Sequence, residues 1–98
     1  MRKRGATVEF DNKAVGQTIR NLRESKNLSQ DVLSGLAGIA RSHLSMIETG
    51  TKQANFQTIW RIALALEMRP SELVARIEET AQKQSASAGR PNNITKAD

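Results

Sequence analysis

Residues 29–50 read SQDVLSGLAGIARSHLSMIETG, and the fold turns on how this stretch divides. Ser29 is a good N-cap because its hydroxyl can accept from an amide that the first helical turn leaves unpaired. Asp31 in that turn suits the positive end of the helix dipole. A helix over 30–37 places Leu33 and Ala37 on one face, with the small Ser34 beside them. Gly38 follows, where a left-handed residue is cheapest, so the chain turns sharply. A second short helix over 40–49 points Leu44 and Ile47 inward and stops at Gly50. It leaves Arg41, Ser42, His43, Ser45 and Met46 on its outer surface.

The flanks supply what such a pair needs to pack against. Upstream, Asp11 caps a helix over 12–25 in which Val15, Ile19 and Leu22 share a face, and Phe10 and Val15 are spaced as a hydrophobic staple. Downstream, Asn55 caps a helix whose Phe56, Ile59, Ile62, Ala63 and Leu66 form the longest apolar stripe in the chain. Trp60 falls just off that stripe, at the core edge or in a dimer contact, with the core edge preferred. Pro70 at a first helical position, with Glu72 in the same turn, opens a fifth helix. Its Leu73, Val74, Ile77 and Ala81 face inward or toward a partner. Residues 1–10 read as a flexible basic arm and 11–82 as the folded domain. Residues 83–98, whose one large apolar residue is Ile94, read as a disordered polar tail.

Ninety-eight residues make one domain, and with two Phe, one Trp and no Tyr the core must be built from Leu, Ile, Val and Ala. The expectation is an all-α, compact five-helix domain. There is no cysteine, so disulfides, thiolate ligands and a cysteine nucleophile are excluded. No apolar run approaches the ~18 to 20 residues that cross a bilayer, and the basic start leads into no signal-peptide core. A soluble cytoplasmic protein with no membrane association is expected. An enzyme needs a poised acid, base, nucleophile or metal. One histidine, no cysteine, no glycine-rich phosphate loop and no clustered metal ligands argue against catalysis, a metal or a cofactor. The charge of +5 instead invites a polyanion. It is distributed unevenly: residues 59–82 carry −1, whereas 1–14, 15–58 and 83–98 each carry +2.

A helix about 10 to 12 Å across fits the major groove of B-DNA, where polar side chains of its first turns reach base edges. LSQDVLSGLAGIARSHLSMIETG, followed by NFQTIWRIALALEMRPSELV, resembles the Cro/repressor-type (XRE, lambda-repressor-like) helix-turn-helix DNA-binding family over about residues 13–77. The features that carry the resemblance are the Ser-Gln opening, Gly38 eight residues after Gln30, and Leu44 six after Gly38, joined by the Ile47-Glu48-x-Gly50 ending and the Ile-Ala-x-x-Leu helix that follows. The resemblance implies a lambda-repressor-like fold with the helix-turn-helix at helices 2 and 3, and a homodimer on a pseudo-palindromic operator. Arg41 and Ser42 then occupy the first base-reading turn, with His43, Ser45 and Met46 as further exposed positions. Gln30, Thr49, Lys52 and Gln53 match phosphate-contacting positions.

Each of these residues has a plainer alternative. Arg41 can pair with guanine O6 and N7 or hold a phosphate. Ser42 can bond a base or a phosphate, or cap the helix locally. His43 contacts the groove or is solvated. Met46 touches a thymine methyl or borders the core. Gln30 donates to a phosphate or is an ordinary first-turn residue. The arm Arg2, Lys3, Arg4 lies in a minor groove or stays in water. Glu48, at the negative end of its helix, calls for a cation, Arg20 or Arg23.

Four departures from the family pattern stand out. Ala40 replaces a polar cap, with a loss of ~1 kcal/mol and helix 3 expected to order fully only on DNA. Val32, Gly35 and Leu36 stand at usually polar positions, and Val32 and Leu36 offer an apolar contact to a protein partner. Glu67 replaces a glycine and Arg69 a polar cap. Dimerisation is placed on Met68, Leu73, Val74 and Ile77, with pure core as the alternative for Leu73. The function read is a sequence-specific DNA-binding transcriptional regulator acting as a repressor. The alternative is an antitoxin-type interaction protein that binds a protein partner and autoregulates its operon.

Overall fold

The computed structural model describes residues 10–89, and the side chains up to residue 84. It contains five helices: α1 Asn12–Ser25, α2 Gln30–Ala37, α3 Arg41–Thr49, α4 Phe56–Ala65 and α5 Pro70–Gly89. The starts follow from local chemistry. Asp11 accepts from the amides of Lys13 and Ala14, Ser29 from Val32, and Asn55 from Thr58. The amide of Arg69 donates to the Glu72 carboxylate at 2.8 Å, which closes the start of α5. Ala40 offers α3 no side-chain cap, yet α3 is complete from Arg41. Leu44 and Ile47 are fully buried and hold it by packing, so the expectation that it orders only on DNA is corrected.

One core joins all five helices. Ile19, Leu33, Leu44, Ile47, Ile62, Leu66 and Leu73 are its largest fully buried side chains. At the crossing of α1 and α3 the backbones meet at Gly16. A Cβ there would sit on the Ile47 carbonyl oxygen and 2.5 Å from that of Glu48. Only the absence of a side chain permits this approach. Thr18, buried on α1, donates to the Ala14 carbonyl and meets the Thr80 hydroxyl at 2.7 Å, tying α1 to α5.

Three expectations are corrected. Phe56 has the period of the α4 stripe but is 69% exposed, because it is the first residue of the helix and lies beyond the end of the core. Trp60 is exposed rather than sealing the core edge, and stacks edge-on with Phe56 at 5.8 Å. The last helix does not stop near residue 82 but runs to Gly89, into the segment expected to be disordered. Ala and Gln make up five of residues 81–88 and no proline interrupts them, so propensity carries the helix past the last core contact.

Candidate nucleic-acid interface

The geometry of α3 begins at the turn before it. Gly38 has φ +72°, and the amides of Gly38 and Ile39 return to the carbonyls of Gly35 and Ser34. This closes α2 and swings the chain into α3. Arg61 of α4 donates to the Gly38 carbonyl at 3.4 Å and braces the turn from outside. The far end of α3 closes on Gly50, φ +82°, where the Met46 carbonyl accepts from the amides of Thr51 and Lys52 and from the hydroxyls of Thr49 and Thr51.

Between these turns α3 has two sides. At 100° per residue, Leu44, Ile47 and Glu48 fill the inner arc, and all three are buried. Ser42, Ser45, Met46 and Thr49 fill the outer arc, while Arg41 falls at the border beside Glu48 and reaches water as the first residue of the helix. Arg41, Ser42, Met46 and Thr49 are exposed and Ser45 is half-buried. His43 falls at the border beside Ile47 and is also half-buried. Four residues of mixed donor, acceptor and apolar character thus form one outward stripe, with Arg41 at its leading edge.

The stripe is held from behind by a buried charge network. Arg23 of α1 pairs with Glu48 through Nε to Oε2 at 2.7 Å and Nη2 to Oε1 at 3.0 Å, while its Nη1 donates to the Leu28 carbonyl at 2.7 Å. The carboxylate raises the Arg23 pKa through its hydrogen bonds, against a smaller opposing effect of burial. Of the two cations that sequence offered to Glu48, Arg23 is the partner. Arg20 pairs instead with Glu24, one turn along α1.

The expected phosphate contacts sit around this frame. Gln30 donates from Nε2 to Glu48 Oε1 at 3.0 Å, so one of its N–H groups is already engaged. Lys52 and Gln53 are exposed in the loop after α3. Thr49 is exposed but turns its hydroxyl to its own helix. Arg2, Lys3 and Arg4 lie outside the described residues. Arg41, the first residue of α3, pairs through Nε with Asp31 Oδ1 of α2 at 3.1 Å, a relation that sequence reading missed. No spacing rule links an α2 acid to an α3 cation, because the turn at Gly38 alone brings them together.

Two apolar surfaces lie elsewhere on the domain. A recess of about 380 Å³ is bounded by Phe10, Val15, Ala54, Phe56, Ile59, Val74 and Ile77. Phe10 and Val15 share this recess, but Phe10 is exposed and does not close over its staple partner. Val74 is exposed, while Met68 and Ile77 are partly buried against the core. Leu73 is wholly buried in the core, so its placement at a dimer contact is corrected in favour of the alternative, pure core. On the other side, Leu36 and Leu64, both exposed, border a groove with Ala37, Gly38, Arg61, Ala65 and Glu67, and Val32 is exposed nearby on α2. Glu67 holds φ +60°, the conformation a glycine would take there.

Among the described residues no group of three or more His, Asp or Glu is placed to hold a metal, and no helix is long and apolar enough to cross a membrane.

A family model described as Helix-turn-helix matches residues 19–73, which span the second half of α1, all of α2, α3 and α4, and the first turn of α5. The chain is 30% identical over 85 residues to the uncharacterised HTH-type transcriptional regulator y4dL of Sinorhizobium fredii, covering 83% of this chain and 43% of that protein. It therefore spans less than half the length of that relative. The crystal structure of the restriction-modification controller protein C.AhdI from Aeromonas hydrophila superposes with a TM-score of 0.62 at 38% identity, covering 64% of this chain and 96% of that one. The structure of the biofilm master regulator SinR in complex with DNA superposes with a TM-score of 0.57 at 30% identity, covering 61% and 97%.

Proposed function

The chain belongs to the helix-turn-helix family of transcriptional regulators, which are not enzymes, and on that premise we propose that it is a sequence-specific DNA-binding repressor acting in the cytoplasm as a homodimer. The observation that carries the reading is the outward side of α3, with Ser42, Ser45 and Met46 on one arc, Arg41 exposed at its first turn, and Leu44, Ile47 and Glu48 anchoring the inner arc. Inserted in a major groove, that outward side meets base edges, with His43 at its rim. Gln30, Thr49, Lys52 and Gln53 take the flanking phosphates, and the arm Arg2, Lys3, Arg4 adds charge from a minor groove. A related solved structure, SinR, is a complex with DNA, which supports the same role here.

Dimerisation is assigned to the recess face. Val74 and Ile77 of α5 line it with the exposed Phe10 and Phe56, Trp60 stacks on Phe56, and Met68 at the α4–α5 turn is assigned to the same contact. Pairing two copies there covers Phe10, Phe56 and Val74, which the fold leaves in water.

Selection of bound duplexes from a random pool by the purified protein, with the winner's affinity repeated at two salt concentrations, tests the proposal. A palindromic winner with half-sites about 34 Å apart, bound far more tightly than random DNA, is the expected result. Weak, unselective binding that salt abolishes overturns it, because charge and not α3 would then be attracting DNA.

A second reading rests on Val32, Leu36 and Leu64, exposed by 47, 62 and 57% beside the groove of α2 and α4. In that reading an antitoxin-type protein holds a protein partner on this face and binds DNA to regulate its own operon. A partner that copurifies and is released by Leu36→Glu, with DNA affinity unchanged, distinguishes it.

A further inference from the structure

We propose that Asp31 is a specificity-determining positioning residue: without touching DNA, it aims Arg41 at its base and discourages binding to any other sequence. The inference rests on the proposed role of α3 as the base-reading helix and names the device by which its leading arginine is made selective.

The geometry is particular. Asp31 stands in the first turn of α2 and Arg41 is the first residue of α3, so the two lie on different helices joined by the fixed turn at Gly38. Asp31 Oδ1 is 3.1 Å from Arg41 Nε, with both side chains largely in water. An arginine reads guanine with two N–H groups in parallel. Because the pair with Asp31 uses Nε, the terminal Nη1 and Nη2 remain to form such a fork. The carboxylate thus holds the guanidinium by its base and leaves the reading edge. A long side chain at an exposed helix start otherwise samples many rotamers, and each productive contact must first offset that freedom.

Charge adds a second effect. Asp31 is adjacent to Gln30, the residue assigned to a phosphate, so its carboxylate sits near the DNA backbone and repels it. On random DNA this repulsion is offset by no base contact. On the right site, Arg41 bonds its base while still neutralising Asp31. One carboxylate therefore weakens non-specific binding and strengthens discrimination, which is how specificity is gained by disfavouring the wrong partners. Asp31 also sits well for the α2 dipole. That role alone would change stability and leave base preference untouched.

The experiment measures the full-length protein, Asp31→Asn, Arg41→Ala and the double variant on the selected operator, on its three single-base versions at the position Arg41 reads, and on a random duplex. For Asp31→Asn, discrimination at that one position is expected to fall by about threefold, the scale of an exposed ion pair. Affinity for the random duplex is expected to rise. In the Arg41→Ala background the same change should alter base preference no further. An unchanged base profile with only a lower melting temperature overturns the inference and leaves Asp31 as a dipole partner. An equal loss in both backgrounds overturns it as well. If Arg41→Ala itself relaxes no base position, the base assignment of Arg41 has failed and the role of Asp31 fails with it. That result is separate from the case in which Arg41 reads a base and Asp31 does not matter.

Discussion

Arg23 and Glu48 face each other across the crossing of α1 and α3 as a two-pronged ion pair, Nε to Oε2 at 2.7 Å and Nη2 to Oε1 at 3.0 Å, with the Glu48 side chain 2% exposed. Glu48 lies in the last turn of α3, at the negative end of its dipole, where a carboxylate alone is disfavoured. Arg23 reverses that cost, and its third nitrogen reaches the Leu28 carbonyl between α1 and α2. With Gln30 donating to the same carboxylate, one acid fixes the angle of α3 against both neighbouring helices.

Removing either partner leaves the other charge buried. Arg23→Ala and Glu48→Ala are each expected to lower unfolding free energy by about 3 kcal/mol, read from urea denaturation. The double replacement should cost less than the two added together. Because Glu48 raises the Arg23 pKa, the contribution of the guanidinium is fully present below the ordinary arginine range and is lost only above it. No change in this stabilisation from deprotonation of Arg23 is therefore expected between pH 7 and 9. Single variants that melt like the parent would show that the pair is dispensable.

Gly16 makes a sharper demand on the same crossing. Gly16→Ala places its methyl against the carbonyls of Ile47 and Glu48, which are backbone and cannot rotate away. The helices must separate, at an expected cost of at least about 2 kcal/mol. The same displacement moves the recognition stripe, so operator affinity should fall beyond what the loss of folded protein explains. Normal stability and affinity in this variant would place the two helices further apart than described.

The contrast between Gly16 and Gly38 shows what sequence could convey. Gly38, Gly50 and the caps Asp11, Ser29 and Asn55 act on residues within a turn of themselves, and so were readable from spacing. Gly16 acts on a carbonyl of α3, and nothing in its neighbours announces it. Arg20 and Arg23 lie less than one turn apart on α1, and both are plausible mates for Glu48 until the crossing angle of α1 and α3 is known. Phe56 and Leu73 each fit an apolar period, but periodicity does not say where along a helix the core ends. The first was consequently placed too deep and the second too near the surface. The candidate site divided in the same way: the outward residues of α3 followed from its inward Leu44 and Ile47, whereas the pairing of Arg41 with Asp31 required the turn in three dimensions.

Glu67 is an opportunity to stabilise the domain. It adopts φ +60°, a conformation that disfavours a side chain, at the turn between α4 and α5. Glu67→Gly relieves that cost against a larger entropy in the unfolded chain, for a net gain of up to about 1 kcal/mol. A higher denaturation midpoint with an unchanged slope is the expected observation. A lower midpoint would mean that the glutamate side chain makes a contact worth more than the backbone strain.

Adjacent residues of α5 separate folding from assembly. Leu73 is wholly buried, so Leu73→Ala should cost about 2 to 5 kcal/mol at any protein concentration. Val74 is 46% exposed beside the apolar recess, so Val74→Glu should leave the monomer folded and shift sedimentation from dimer to monomer. Operator binding should then weaken and lose its two-half-site pattern. A Val74→Glu protein that remains dimeric would move the assigned interface off α5.

Lys52 and Arg41 should fail in different ways on DNA. Lys52 is exposed in the loop that follows α3, off the stripe, where the phosphate backbone is the nearest target. Lys52→Ala should weaken all duplexes by a similar factor and lower the slope of log affinity against log salt by about 1. Arg41→Ala should instead leave most sequences nearly unchanged and relax preference at one base pair, with a loss of about 1 to 3 kcal/mol on the selected site. Measuring both variants on the operator, its single-base versions and a random duplex at two salt concentrations separates the two effects. If Arg41→Ala flattens the salt slope and weakens every duplex alike, Arg41 is a backbone contact, and base reading passes to Ser42, Ser45 and Met46 on the same arc.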